Sequence, residues 1–296
     1  MTRGAAMSNA RPTEAAVEQR RQDVLNYVID RGEARIGDLA SVFGVSLMTM
    51  HRDLDDLAGR RMLRKKRGLV EAFPSLTMET ATRFRVGLHT AEKQAIAAAA
   101  AARVRPGASV LLDDSSTLFP LARLLGEVEE LTAVTNSVTI AQILSRAGRE
   151  VVLAGGRYRA EFDSCTGPDV LRSLSRLRTD IAFMSVTTIA HGRMYHPIQD
   201  YAEIKHVMHE SAEHTCLLAD HSKFGKTATY AHGDAGIFDL VITDDATPEH
   251  ELDAIRDLGT EVEVVSPNDE PVGYMRITPE SDEWATAGYA RRGGAQ

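Results

Sequence analysis

Two groups of residues in this chain have types and spacing that could do chemistry. The first runs from Ser46 to Arg52. Leu47, Met50, Leu54 and Leu57 recur at steps of three, four and three, which puts them on one face of a helix with Ser46 as its N-cap. The residues left to the other face are Met48, Thr49, His51 and Arg52. An arginine donates bidentately to guanine, Ser46 and Thr49 reach phosphate or base, and Met48 packs on a thymine methyl. Arg64, Lys65, Lys66 and Arg67 follow as an unbroken basic run before Gly68 and suit phosphates. Each residue alone reads equally well as solvated surface; the set points to duplex DNA.

The second group is scattered over short segments that follow apolar runs. Asp113-Asp114-Ser115-Ser116-Thr117, Asn136-Ser137 and Gly155-Gly156 each stand where a strand would end and a helix begin. In open α/β sheets ligands bind there. Hydroxyls of Ser115, Ser116 and Thr117 beside free backbone N–H groups suit a phosphate, Asn136 and Ser137 repeat the arrangement, and Asp113 can accept from sugar hydroxyls. Asp220 and Lys223 add a carboxylate and an amine three residues apart. Helix capping is the competing reading of every one of these segments. Asp114 would repel a phosphate dianion from inside such a loop, so it is expected to face away unless the ligand carries less charge.

The elements that must position these residues follow from periodicity. Val17–Asp30 has helical apolar spacing and stops at Gly32; Ile36–Phe43 forms a short second helix; Gly44 makes the turn into the helix capped by Ser46. With a basic hairpin after it, this is a winged helix-turn-helix. Beyond Thr90 helical stretches alternate with apolar runs at 109–112, 131–135, 151–154, 181–186, 216–219, 239–243 and 262–265. Such alternation predicts an α/β fold with a mostly parallel sheet covered on both faces. The expected organisation is a disordered arm over 1–14, a winged helix-turn-helix head over 15–73, a linker over 74–90, an α/β body over 91–278 and a flexible tail over 279–296.

Composition agrees. The 296 residues are long enough for two domains, and 43% hydrophobic with 26% charged content is that of a folded globular chain. Net charge is −8, but residues 1–70 hold 13 Lys/Arg against 9 Asp/Glu and the remainder 21 against 33, so a basic head sits on an acidic body. Cys165 and Cys216 are too few for a disulfide framework and are expected to be reduced. No run reaches a membrane span and the N-terminus lacks an apolar leader, which places the protein in the cytoplasm. His206 and His209 share a helix face near His214 and His221, yet no third ligand completes a pattern, so no metal and no cofactor are expected. An isomerase or CoA-transferase-like enzyme would need a carboxylate such as Glu161 or Asp163, which no motif marks. A ligand-independent DNA-binding protein is the other alternative.

Val45-Ser46-Leu47-Met48-Thr49-Met50-His51-Arg52-Asp53-Leu54-Asp55-Asp56-Leu57 resembles the DNA-binding signature of the DeoR family of bacterial transcriptional regulators, close to V-S-x-x-T-I-R-R-D-L-x-x-L. Met50 and His51 depart from it, and the basic segment lacks the wing's usual histidine and paired glycines. The aspartate-plus-hydroxyl loop, Thr135-Asn136-Ser137, Gly155-Gly156 and Asp220-His221-Ser222-Lys223-Phe224-Gly225 resemble the sensor domain of that family. Asp114-Ser115-Ser116 and Ser185-Val186-Thr187-Thr188 stand where the family has glycine-containing stretches. The resemblance covers about residues 17–245. It implies a body similar in fold to ribose-5-phosphate isomerase and the CoA transferases, a phosphorylated sugar or related metabolite as effector, and Lys205 as a further effector contact. The expected protein is a homo-oligomeric repressor of carbohydrate metabolism genes, because one recognition helix reads few base pairs and two heads must share an operator.

Overall fold

A computed structural model describes residues 14–59, 62–72 and 85–268. The expected arm (save Glu14), the tail and most of the linker lie outside them.

The head consists of α1 (Glu14–Arg31), β1 (Glu33–Arg35), α2 (Ile36–Val42), α3 (Leu47–Gly59), β2 (Leu63–Lys66) and β3 (Leu69–Ala72). Its core gathers Val24, Leu25 and Val28 of α1, Leu39 of α2, Met50, Leu54 and Leu57 of α3, and Leu63 and Val70 of the hairpin; Leu47, expected on the same face of α3, is instead 56% exposed at the first residue of the helix. Gly44 turns between α2 and α3 at φ 61°, where a side chain would be strained. Ser46 then caps α3, its Oγ accepting from the Thr49 N–H at 3.1 Å. Asp53 is buried on α3 and takes Arg20 at 2.8 Å and Arg21 at 3.1 Å, both from α1; that pair locks the two helices. The antiparallel sheet has the order β1-β3-β2, with Arg67-Gly68 at the tip of the β2–β3 hairpin. β1 is too short and polar to show in the sequence.

In the body, α4 (Thr90–Ala101) precedes β4 (Ser109–Leu112), α5 (Leu118–Leu125), β5 (Thr132–Thr135), α6 (Val138–Arg146) and β6 (Glu150–Leu153). After the hairpin β7 (Arg157–Arg159) and β8 (Ser164–Thr166) come α7 (Pro168–Leu174), β9 (Thr179–Met184), β10 (Thr188–Ala190), β11 (Arg193–His196), α8 (Gln199–Glu210) and β12 (Ala212–Leu218). The last elements are β13 (Tyr230–Asp234), β14 (Leu240–Asp244), α9 (Glu249–Arg256) and β15 (Glu261–Val265).

Seven strands form one parallel sheet in the order β15-β14-β12-β9-β4-β5-β6. Side chains alternate between two cores. Val110, Leu112, Ile181, Phe183, Cys216, Leu218, Leu240 and Ile242 enter one, while Leu111, Ala182, Met184, Leu217 and Val241 enter the other. A sheet buried on both faces needs such continuous apolar strands, which is why the five inner strands were legible; the edge strands β6 and β15 are apolar runs that stay largely exposed. From β4 the chain moves outward through β5 and β6, then returns to β9 on the opposite side of β4. The connectivity therefore reverses between β4 and β9, and a crevice opens at the C-terminal ends of those strands. The antiparallel sheet β10-β11-β13 has no apolar run, which explains its absence from the sequence reading. Cys165 and Cys216 are free and buried.

Candidate functional site

On the head, α3 turns Met50, Leu54 and Leu57 inward and leaves Leu47, Met48, His51 and Arg52 exposed, with Met48 67% accessible. The Arg52 guanidinium lies over the Met48 sulfur at 3.8 Å. Ser46 and Thr49 hydroxyls are 2.9 Å apart, so both are engaged in the cap. The hairpin stands beside this face: Lys65 Nζ donates to Asp55 at 2.6 Å and lies 3.3 Å from His51 Nδ1. Lys66 and Arg64 both pair with Glu71, at 2.5 and 3.5 Å, and Arg67 is exposed at the tip. All nine residues expected on this face are thus on α3, its cap or the adjoining hairpin.

The second group assembles at the C-terminal edge of the large sheet. Asp113 ends β4, and both of its oxygens are engaged: Oδ1 accepts the Ser115 N–H at 2.9 Å, and Oδ2 accepts the Ser185 N–H at 2.8 Å together with Lys205 Nζ. Lys205 also donates to the Ser185 carbonyl at 2.8 Å. Asp113 therefore ties the ends of β4 and β9 together, in place of offering free oxygens to a sugar. Lys205 thereby links α8 to the ends of β4 and β9.

Asp114 does not face away. It is buried, its Oδ2 accepts from Ser164 Oγ at 2.7 Å, and Ser164 is 3.0 Å from the Tyr201 hydroxyl. Burial raises its pKa against the opposing pull of Lys205, with Asp113 adding to the rise. A shift in that direction favours the neutral carboxyl and so weakens the repulsion that the sequence implied.

Ser116 Oγ accepts from Lys93 Nζ at 3.4 Å, and Thr117 Oγ1 lies 3.4 Å from Ser185 Oγ. Ser137 Oγ caps α6 by accepting from Ile140 N at 3.3 Å. Asn136 donates from Nδ2 to the Cys165 carbonyl at 3.0 Å, and its Oδ1 is buried without a partner. A Cβ on Gly156 would come within 2.7 Å of the Thr166 carbonyl, whereas Gly155 borders open space. Gly156 thus permits a close backbone approach.

Asp220 follows β12. Burial alone would raise its pKa, but Lys223, Lys93 and the Ser222 hydrogen bond hold it well below the usual carboxylate range. Its Oδ2 has no hydrogen-bond partner among the described residues. Lys223 is buried too.

Two residues that sequence reasoning missed complete this edge. Lys93 shares the buried stripe of α4 with Ile96, Ala97 and Ala100; a lysine at i−3, i−4 and i−7 of an apolar face is a signal that could have exposed it. Burial, reinforced by Lys223, brings its pKa down to about 7, and it donates to the Arg85 carbonyl at 2.5 Å. Arg85, assigned to the linker, is buried, its Nε without a hydrogen-bond partner among the described residues, within the field of Asp114, Asp113 and Asp220. Burial lowers its pKa against those three charges. No sequence signal marks it.

The remaining candidates lie elsewhere. His206 pairs with Glu210 at 3.4 Å and His209 lies 2.8 Å from the Ile237 carbonyl. Asp163 accepts from Tyr158 at 2.7 Å and from Thr139, and Glu161 pairs with Arg159 at 3.7 Å.

Comparison with known proteins finds the family model of the DeoR C-terminal sensor domain over residues 88–245 and that of the DeoR-like helix-turn-helix domain over 20–75. The chain belongs to the DeoR family. Among its relatives, the putative aga operon transcriptional repressor of Escherichia coli O157:H7 is 30% identical, the match covering 83% of this chain and 93% of that one. The glycerol-3-phosphate regulon repressor of Escherichia coli K12 is 28% identical over 83% of this chain and 98% of its own. Among solved structures, ribose 5 phosphate isomerase A from Neisseria gonorrhoeae shows 18% identity over 45% of this chain and 52% of that one, with a TM-score of 0.34. DeoR membership makes the protein a DNA-binding transcriptional regulator and not an enzyme. Among the described residues, no helix is long and apolar enough to cross a membrane.

Proposed function

We propose that this DeoR regulator represses genes of carbohydrate metabolism and leaves its operator when a phosphorylated sugar or a related metabolite binds at the C-terminal edge of the seven-stranded sheet. One observation carries the ligand class: three buried polar atoms at that edge, Arg85 Nε, Asn136 Oδ1 and Asp220 Oδ2, have no hydrogen-bond partner among the described residues. Buried polar groups are nearly always satisfied. An unpaired cationic donor asks for an anion, and two unpaired acceptors ask for hydroxyl groups. A molecule with a phosphate at one end and hydroxyls along its length supplies both.

The charge balance agrees. Arg85, Lys93, Lys205 and Lys223 are buried here against Asp113, Asp114 and Asp220, and burial shifts the pKa of Asp114 upward, toward its neutral form. Ser115, Ser116 and Thr117 lead into α5, whose N-terminus favours an anion.

On the head, the exposed face of α3 enters the major groove, with Met48, His51 and Arg52 toward the bases and Ser46 and Thr49 at the backbone. Arg64, Lys65, Lys66 and Arg67 hold phosphates. Two heads on one operator require a homo-oligomer. The effector acts by binding one arrangement of the heads better than the other.

Fluorescence anisotropy of the purified protein on its own upstream DNA, at stated salt and with a panel of sugar phosphates, tests this. Specific binding released by one compound is the expected result. Specific binding unmoved by every phosphorylated sugar would overturn the effector assignment.

A further inference from the structure

Beside the effector edge, and independent of it, three side chains from two elements converge. His89 immediately precedes α4, Glu92 lies in its first turn, and His221 follows β12. One ligand atom from each lies within 4.8 Å of the other two. The two imidazoles meet edge to face with centroids 4.7 Å apart, and His89 adopts a left-handed backbone at φ 51°. Two nitrogens and a carboxylate oxygen on a tetrahedral zinc would sit about 3.3 Å apart, given bonds near 2.0–2.1 Å. Side-chain rotation closes the difference.

His221 carries a second feature of a metal ligand. Asp244, fully buried, holds its Nδ1 at 2.8 Å and accepts its backbone N–H at 2.7 Å. A carboxylate on Nδ1 fixes the tautomer that leaves Nε2 with its lone pair outward, the arrangement that orients histidines on metals. Asp244 is itself held by the Ala246 N–H at 3.1 Å.

We propose that His89, Glu92 and His221 form a binding site for a divalent transition metal, zinc above all, with Asp244 as the positioning residue and a fourth coordination position open. Two histidines and a glutamate are a borderline N/O set that suits Zn²⁺ and Co²⁺ and disfavours Mg²⁺ and Ca²⁺, which prefer all-oxygen cages. The site clasps the residues just before α4 to the end of β12. Leu88, next to His89, packs against the core of the head, so the metal fastens the segment through which head and body are joined.

The test uses metal-stripped full-length protein titrated with Co²⁺, which reports tetrahedral coordination by intense visible bands. One Co²⁺ per chain with those bands is expected. H89A and H221A should each weaken binding by at least tenfold, D244N by about 10–100-fold, and the control H206A should leave it unchanged. Octahedral cobalt only, or binding that survives both H89A and H221A, would overturn the site. Should a variant not fold, X-ray absorption on the zinc-loaded wild type decides: a first shell with two imidazoles supports the proposal, and a shell of oxygens alone refutes it. None of these readouts involves DNA or a sugar phosphate, so the failure of either reading leaves the other standing.

Discussion

Lys205 on α8 and Asp113 at the end of β4 form an ion pair in which the side chains are 4% and 1% exposed. The pair joins the two strands between which the sheet reverses direction, so it sets the width of the crevice. Replacing the amine with a methyl leaves a buried carboxylate with its charge unanswered. Breaking such a pair costs about 3–5 kcal/mol. K205A should lower the urea midpoint accordingly, and K205M/D113N should recover part of the loss. A K205A protein within about 1 kcal/mol of wild type would mean that the crevice is held by something else.

Lys93 offers the cleaner separation of sensing from folding. Its amine is about half protonated at pH 7 because burial and Lys223 bring its pKa to about 7, so K93M removes only part of a charge from the ligand-free protein and roughly conserves volume. A bound phosphate would draw the proton back and pair with it. K93M should therefore still shift its operator but need at least tenfold more sugar phosphate for release. Release at the wild-type concentration would exclude Lys93 from the phosphate site.

The head divides into base-reading and backbone-holding residues. Arg52 is exposed on α3, and R52A should cost about 1–3 kcal/mol on the true operator while sparing random DNA. Arg67 at the hairpin tip should hold phosphate, so R67A should weaken all sequences alike and flatten the salt dependence by about one counterion. Equal losses on operator and random DNA for both variants would contradict the division.

How far the sequence was readable follows from what each residue does. The five inner parallel strands were visible because burial on both faces demands apolar runs, the edge strands β6 and β15 because they carry valine and leucine although largely exposed, and α3 because one face of it must be apolar. Asp113, Asn136 and Asp220 were visible because strand ends in an α/β sheet are predictable places. Ser137 takes the capping role that was the competing reading, but the long-range engagement of Asp113 with Ser185 and Lys205 was not visible. The inward turn of Asp114 depends on Ser164, 50 residues away, and the burial of Arg85 on strands that follow it in the chain. Pairings at such separation leave no local periodicity. The sheet β10-β11-β13 was hidden for a different reason, since strands of three to five residues carrying Arg193, His196, His232 and Gly233 have no hydrophobic pattern to read.

His232 on β13 should make stability depend on pH. Burial, and after it the nearby Lys205, lowers its pKa from 6.5 to about 4, and its buried Nε2 has no hydrogen-bond partner among the described residues. Between those values the unfolded chain binds a proton that the folded chain refuses. Stability must then rise with pH from about 4 to 6.5, and the full benefit is present above 6.5. His196, lowered in the same direction by burial and Lys205, acts alike. Since His232 keeps some solvent access, its own share between pH 7.5 and pH 5 should be about 1–2 kcal/mol. Urea unfolding of wild type and H232Q at the two values isolates that share, because carboxylates common to both proteins cancel in the comparison. H232Q should lose less stability on acidification; equal losses would place the His232 imidazole in contact with water, where it titrates as it does in the unfolded chain.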